Sequence, residues 1–231
     1  MNRQSLVEQI RLKRSLLCVG IDPEIEKLPV NIPKTLSGLH QFLFEIIPPL
    51  MQHAVAVKIN LAFFECFGTK GWNVMEQVLT YIPENVLKIA DAKRGDIGNT
   101  SRKYAEAFLK ELPFDAITIN PYMGADSVEP FLAFPDKWTF LLGLTSNAGA
   151  ADFQLQKLEN GKYVFESVFE KAQIWADRNP GELGFVAGAT RPEYLDSIRK
   201  IVPNAFLLIP GIGAQGGDLA SVLANGLIPN D

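Results

Sequence analysis

The segment DAKRGDIGNT, residues 91–100, places two carboxylates, Asp91 and Asp96, around one ammonium, Lys93. The run before it is apolar and short enough for a strand. Successive side chains of a strand alternate between its faces, so Leu87, Ile89, Asp91 and Lys93 are expected on one side. Negative neighbours favour the protonated lysine, which suits a proton donor held charged and aimed. At ~4 Å and an effective dielectric of about 20, each such contact amounts to about 4 kcal/mol before desolvation is subtracted. The plainer alternative is a solvated ion-pair cluster on a loop. Lys88 falls on the opposite face and is expected to extend its stem outward.

Other chemistry-bearing residues close similar runs. AVAVKIN, residues 54–60, sets Lys58 in phase with Ala54, Ala56 and Asn60. LLCVGID, residues 16–22, ends on Asp22, whose plainer role is to cap the following loop. Ser146 follows FLLGLT in the same way. PGIGAQGGD, residues 210–218, contains Pro210, Gln215, Gly216 and Gly217, and Gly211, Gly213 and Gly216 match G-x-G-x-x-G. It comes at the seventh strand, with no acidic strand end some twenty residues on, so a dinucleotide fingerprint is a poor fit. Glycines that bare backbone N–H groups at a helix start suit a phosphate monoester better; a plain tight turn is the alternative. No P-loop, CxxC, HExxH or GxSxG pattern is present.

The elements that must position these residues alternate. Seven apolar runs, near residues 16–22, 54–60, 86–93, 116–122, 140–145, 183–190 and 206–211, are separated by helix-like segments. Leu36, Leu39, Leu43, Ile46, Ile47 and Leu50 repeat at three and four, as do Tyr163, Val164, Phe165, Val168, Phe169, Ala172 and Trp175. Thr190 and Glu193 match a capping box opening a helix that carries Leu195, Ile198 and Val202. Continuous apolar strands bounded by Gly, Pro, Asn or Asp fit a parallel sheet covered on both faces. Chemistry-bearing residues at six or seven successive strand ends favour a (β/α)₈ TIM barrel over a doubly wound sheet, which concentrates its site at one crevice. The expected architecture is a single domain over residues 1–231 with seven βα units, the eighth strand being absent from the chain.

Composition narrows the class. Of 231 residues, 22 are basic and 26 acidic, a net charge of −4, which disfavours a nucleic-acid binder that must displace phosphate counterions. No apolar run reaches the roughly 18–20 residues of a membrane span, and the N-terminus lacks a signal-peptide core. A cytoplasmic protein is expected. Cys18 and Cys66 sit in apolar surroundings and point to a reduced interior rather than a disulfide framework. His40 and His53 cannot make a metal cage alone.

With VKINLAFFECFG, TINPYMGAD and TSNAGA, these motifs closely resemble the orotidine 5′-phosphate decarboxylase family, in its longer-chain bacterial subgroup, over nearly the whole chain. The resemblance implies decarboxylation of orotidine 5′-phosphate to UMP without metal or other cofactor. It assigns Lys93 as proton donor to C6 and Lys58, Asp91, Lys93 and Asp96 as an alternating charged network. Asp22 and Thr100 match ribose contacts, Ser146 a contact to the base and Gln215 a phosphate contact, beside Pro210, Gly216 and Gly217. It further implies a homodimer in which Asp96 and Thr100 reach the neighbouring site. The family's eighth strand carries a phosphate-binding arginine, and no Arg or Lys follows Lys200 here, so weak or absent activity is expected of this chain. Competing readings are a magnesium-dependent 3-keto-gulonate-6-phosphate decarboxylase, disfavoured by a cation at Lys58, a Schiff-base aldolase acting through Lys93, and a non-catalytic nucleotide sensor.

Overall fold

The computed structural model describes residues 1–212 and 216–228. In chain order the elements are α1 (Arg3–Lys13), β1 (Cys18–Ile21), α2 (Leu36–Leu50), β2 (Ala56–Asn60), α3 (Ala62–Glu65), α4 (Thr69–Thr80) and β3 (Leu87–Arg94). They continue with α5 (Gly98–Glu106), β4 (Ala116–Ile119), α6 (Ala125–Leu132), β5 (Trp138–Leu144), α7 (Ala150–Phe153) and α8 (Val164–Ala176). The last are β6 (Glu182–Ala187), α9 (Leu195–Ile201), β7 (Phe206–Leu208) and α10 (Leu219–Gly226). Strand order in the sheet follows chain order, β1 to β7. A doubly wound sheet reverses its order at a switch point; among the described strands no reversal occurs. The chain is an α/β protein wound in one direction.

Two compact units are present, Met1–Ala92 with Lys103–Ile117, and Lys93–Arg102 with Thr118–Asp231. In the first, β1 pairs with β2 and β2 with β3, all parallel. Thr35 caps α2 by accepting the Gly38 N–H at 3.1 Å. Pro48 and Pro49 close the same helix, since proline cannot continue the hydrogen-bond ladder. The stripe that α2 buries is narrower than its apolar spacing: Leu39, Leu43 and Ile47 are buried, whereas Leu50 is exposed. They share the core with Val57, Ile59, Met75, Val78, Leu87 and Ile89. Lys88, half-buried, donates its backbone N–H to the Asp115 carboxylate at 3.0 Å.

In the second unit β5, β6 and β7 pair in parallel. Strand β5 begins at Trp138, two residues before the run that hydropathy marks, and stacks that indole on Phe140. Helix α8 buries Phe165, Phe169 and Ala172, and the Phe169 and Phe185 ring centroids lie 4.4 Å apart. This approach requires Gly143 on β5, where an added Cβ would come within 2.4 Å of the Phe169 ring. Arg199, buried on α9, donates through Nε and Nη2 to the Gly226 carbonyl and so caps the C-terminus of α10.

Two sequence expectations fail locally. The Thr190–Glu193 box caps no helix, because Pro192–Tyr194 forms a 3₁₀ turn without a side-chain cap and α9 starts only at Leu195. Cys66 is exposed, so the apolar neighbours it has in sequence do not enclose it. Truncating the fully buried Phe169 to alanine should remove about 3–5 kcal/mol of stability. Urea unfolding of Phe169→Ala beside the parent measures it, and a loss below about 1 kcal/mol would contradict the packing described.

Candidate active site

In the first unit the register sets Lys58 beside Gly20 on β1 and Ile89 on β3. Asp22 and Asp91 each lie two residues beyond those partners, on the same face by the period of two. The lysine is thereby drawn between two carboxylates. Its Nζ donates to Asp91 Oδ2 at 2.7 Å and stands 3.8 Å from Asp22 Oδ1. The side chains of Lys58 and Asp91 are 14% and 7% exposed, against 47% for Asp22, so Asp91 is the partner that counts. Burial by itself would lower the Lys58 pKa. The charge and hydrogen bond of Asp91, with a smaller pull from Asp22, outweigh it and hold the ammonium above its ordinary 10.5. Burial pushes the neighbouring Cys18 thiol up to about 12, with Lys58 opposing, so this cysteine stays protonated. The lysine is a stable cation rather than a poised base.

In the second unit Lys93 departs from the expected pleat. Its φ is 47°, in the left-handed region, and its side chain is exposed where Leu87, Ile89 and Asp91 are buried. The even alternation inferred from spacing therefore stops before Lys93. A non-glycine residue in this conformation costs about 1–2 kcal/mol, and such strain persists where the surroundings over-determine it. The Lys93 N–H donates to Thr118 Oγ1 at 3.0 Å, and Thr118 is 1% exposed. The loop that follows is pinned beyond the lysine: Asp96 Oδ1 accepts the Ile97 N–H at 2.7 Å, and the buried Ser101 hydroxyl donates to the Asp96 carbonyl. Asp96 is half-buried and Thr100 exposed.

The same unit braces the loop after β5. The Ser146 carbonyl accepts the Thr190 hydroxyl at 2.9 Å, and Gly188 packs so close that a Cβ there would lie 2.6 Å from the Ser146 Cα. The carboxamide of Gln154 accepts the Thr145 N–H at 2.7 Å and donates to the Thr145 hydroxyl at 2.9 Å, while that hydroxyl donates to Asn147. After β7, the Pro210 carbonyl accepts the Ala189 N–H and the Gly211 carbonyl the Gly217 N–H, each at 2.9 Å. Gly211 and Gly216 take φ of 107° and 78°, which side chains rarely adopt. Gln215 and Gly213 lie outside the described residues.

The structure thus groups Asp22, Lys58 and Asp91 in one unit, and in the other ties Ser146 and Pro210 to the loop after β6 and Gly217 to Gly211. Spacing did not single out Thr118, Thr145, Gln154 or the brace made by Thr190. The TSNAGA wording held the signal for the β5 loop, but a buried threonine in the apolar run AITI reads as core. No group of three or more His, Cys, Asp or Glu suited to a metal occurs among the described residues.

A parallel α/β sheet whose strands follow chain order, with charged and polar residues at the ends of several strands, is the scaffold on which these residues are carried. The model of the "Orotidine 5'-phosphate decarboxylase / HUMPS family" matches residues 15–226, and the chain belongs to that family. It is 50% identical to the orotidine 5′-phosphate decarboxylase of Phocaeicola vulgatus, over 98% of this chain and 84% of that protein. With the namesake from Flavobacterium johnsoniae it shares 50% identity, over 98% and 83%. Among solved structures it resembles Leishmania donovani OMP decarboxylase, with a TM-score of 0.85, 38% identity and coverage of 98% and 84%. It also resembles the UMP synthase of that organism, with a TM-score of 0.89 and 40% identity, over 98% of this chain and 48% of that one.

The raised Lys58 pKa makes a prediction about alkaline stability. The ion pair contributes fully below about pH 10.5 and is lost as pH rises through the higher folded-state value. Lys58→Met breaks this buried pair and should cost about 3–5 kcal/mol at neutral pH. The stability gap between parent and variant, read from unfolding curves at pH 7 to 12, should narrow only above pH 10.5. A gap independent of pH would show that the pair is not ionised as described.

Proposed function

We propose that this chain is an enzyme, a carbon–carbon lyase that converts orotidine 5′-phosphate to UMP and CO₂ in pyrimidine biosynthesis. The observation that carries the reading is the 2.7 Å contact of Lys58 with Asp91, in a chain half-identical to relatives named for this reaction. Loss of CO₂ leaves a carbanion at C6, and the cofactor-free route needs a fixed positive charge and a proton. Lys93 is the donor: its ammonium stabilises the developing charge and then transfers a proton to C6. Lys58, Asp91 and Asp96 complete the catalytic set. Asp91 spends one oxygen on Lys58, which fixes the carboxylate in place and supports a role in aiming charge rather than accepting protons.

Asp22 and Thr100 are proposed to hold the ribose and Ser146 the base. Pro210, Gln215, Gly216 and Gly217 are assigned to the phosphate, the positive φ at Gly216 supporting a loop that turns backbone N–H groups toward an anion. Binding energy from this remote group serves orientation at C6, so substrate lacking phosphate loses rate as well as affinity. The architecture that goes with this function is the (β/α)₈ barrel acting as one domain, its first seven strands being β1 to β7 and its polar ends facing one rim. A homodimer in which Asp96 and Thr100 serve the partner's site is supported by the exposure of the neighbouring Ile97 at 57% and of Tyr122 at 84%. The reading fits a cytoplasmic enzyme. No helix among the described residues is long and apolar enough to cross a membrane.

The test is the absorbance change as orotidine 5′-phosphate becomes UMP, with and without chelator, in this chain and in a parent version extended through an eighth strand. Lys93→Ala should lower kcat by at least about 10²–10⁴-fold, and chelator should leave the parent's rate unchanged. Undiminished turnover in folded Lys93→Ala would remove the assignment of the donor. Activity that depends on magnesium would turn the reading toward the metal-using decarboxylases of sugar phosphates.

A further inference from the structure

The left-handed backbone of Lys93 is a conformation that its surroundings must hold. Lysine lacks the short polar group by which asparagine or aspartate stabilises positive φ locally. Within the same unit, Lys93 donates its N–H to Thr118 Oγ1 at 3.0 Å. Backbone pairing continues immediately beyond, where the Arg94 carbonyl accepts the Asn120 N–H at 2.9 Å. A side-chain hydroxyl therefore takes the Lys93 N–H at the point where the strand twists away from its pleat. Thr118 is 1% exposed, in a strand whose residues Ala116, Ile117 and Ile119 are all fully buried apolar side chains. Valine would satisfy that packing equally well. The hydroxyl is what valine would lack, and without it the Lys93 N–H would lose a buried acceptor.

We propose that Thr118 is a positioning residue for Lys93: its buried hydroxyl holds the lysine backbone at positive φ and so sets the direction in which the ammonium leaves β3. The inference rests on Lys93 being the proton donor. A near-attack arrangement tolerates little error, and misplacement by about 1 Å costs on the order of 10²-fold in rate. A device that fixes the backbone of the donor acts on the chemical step and leaves the groups that bind ribose and phosphate untouched.

Thr118→Val and Thr118→Ser separate this role from packing. In Thr118→Val, kcat should fall about 10- to 100-fold, whereas KM for orotidine 5′-phosphate should stay within about twofold of the parent. Thr118→Ser, which keeps the acceptor, should recover most of kcat. Crystal structures of both variants supply a readout independent of turnover, with Lys93 φ leaving the left-handed region in Thr118→Val and remaining there in Thr118→Ser. Parental kcat in Thr118→Val, or Lys93 still at positive φ in that variant, would overturn the proposal, as would a loss expressed in KM alone. If neither the parent nor a version extended through an eighth strand decarboxylates orotidine 5′-phosphate, the functional reading falls. The φ of Lys93 in the two variants then decides the role of Thr118.

Discussion

A lysine and an aspartate held 2.7 Å apart and almost out of water are the constraint around which the first unit is arranged. At an effective dielectric of about 20 their gross attraction is about 6 kcal/mol. Removing both charges from water costs several kcal/mol per ion, so the pair adds little net stability, and two apolar side chains would serve the fold as well. Its value lies in keeping one cation and one anion ionised and fixed. That depends on register: β1 and β3 must flank β2 so that Asp22 and Asp91 fall beside Lys58. A slip of one residue would turn the set to the opposite face. The helices that bury Leu39, Leu43, Met75 and Val78 hold that register.

In the second unit the expense is conformational. Lys93 is held in a backbone conformation that lysine disfavours, and Gly211 and Gly216 adopt angles that glycine alone takes easily. The β5 loop is braced from several sides, by the Gln154 carboxamide, by the Thr190 hydroxyl and by the close approach of Gly188. Each of these contacts fixes backbone rather than touching a reacting group. The proposed reaction, with no bound electron sink, would rely on preorganised charge, and preorganised charge requires rigid backbone beneath it. Membership of the decarboxylase family and this division of labour point to the same chemistry.

Much of this was legible in the residues themselves. Continuous apolar runs ending in Asp22, Lys58 with Asn60, and Asp91 identified the parallel strands and the positions where charged residues gather, because strand burial and strand ends impose a simple pattern on composition. Lys58 in phase with Ala54 and Ala56 marked a buried-side cation, and the structure pairs it. The Thr190–Glu193 spacing misled because a threonine hydroxyl donates as readily to a distant carbonyl as it caps a helix, and Ser146 offered that carbonyl. Cys66 misled because apolar neighbours in sequence need not cover a residue in space.

The sequence by itself determined the strand and helix pattern, the identities of the charged residues and their grouping at strand ends, since these follow from local periodicity and residue chemistry. Only the tertiary structure decided that Asp91, rather than Asp22, is the close partner of Lys58, because that depends on register and relative burial. Only it decided that Lys93 breaks the pleat and that Thr118, twenty-five residues on, accepts its N–H. Backbone strain is set by what surrounds a residue, and no propensity of lysine or threonine encodes it.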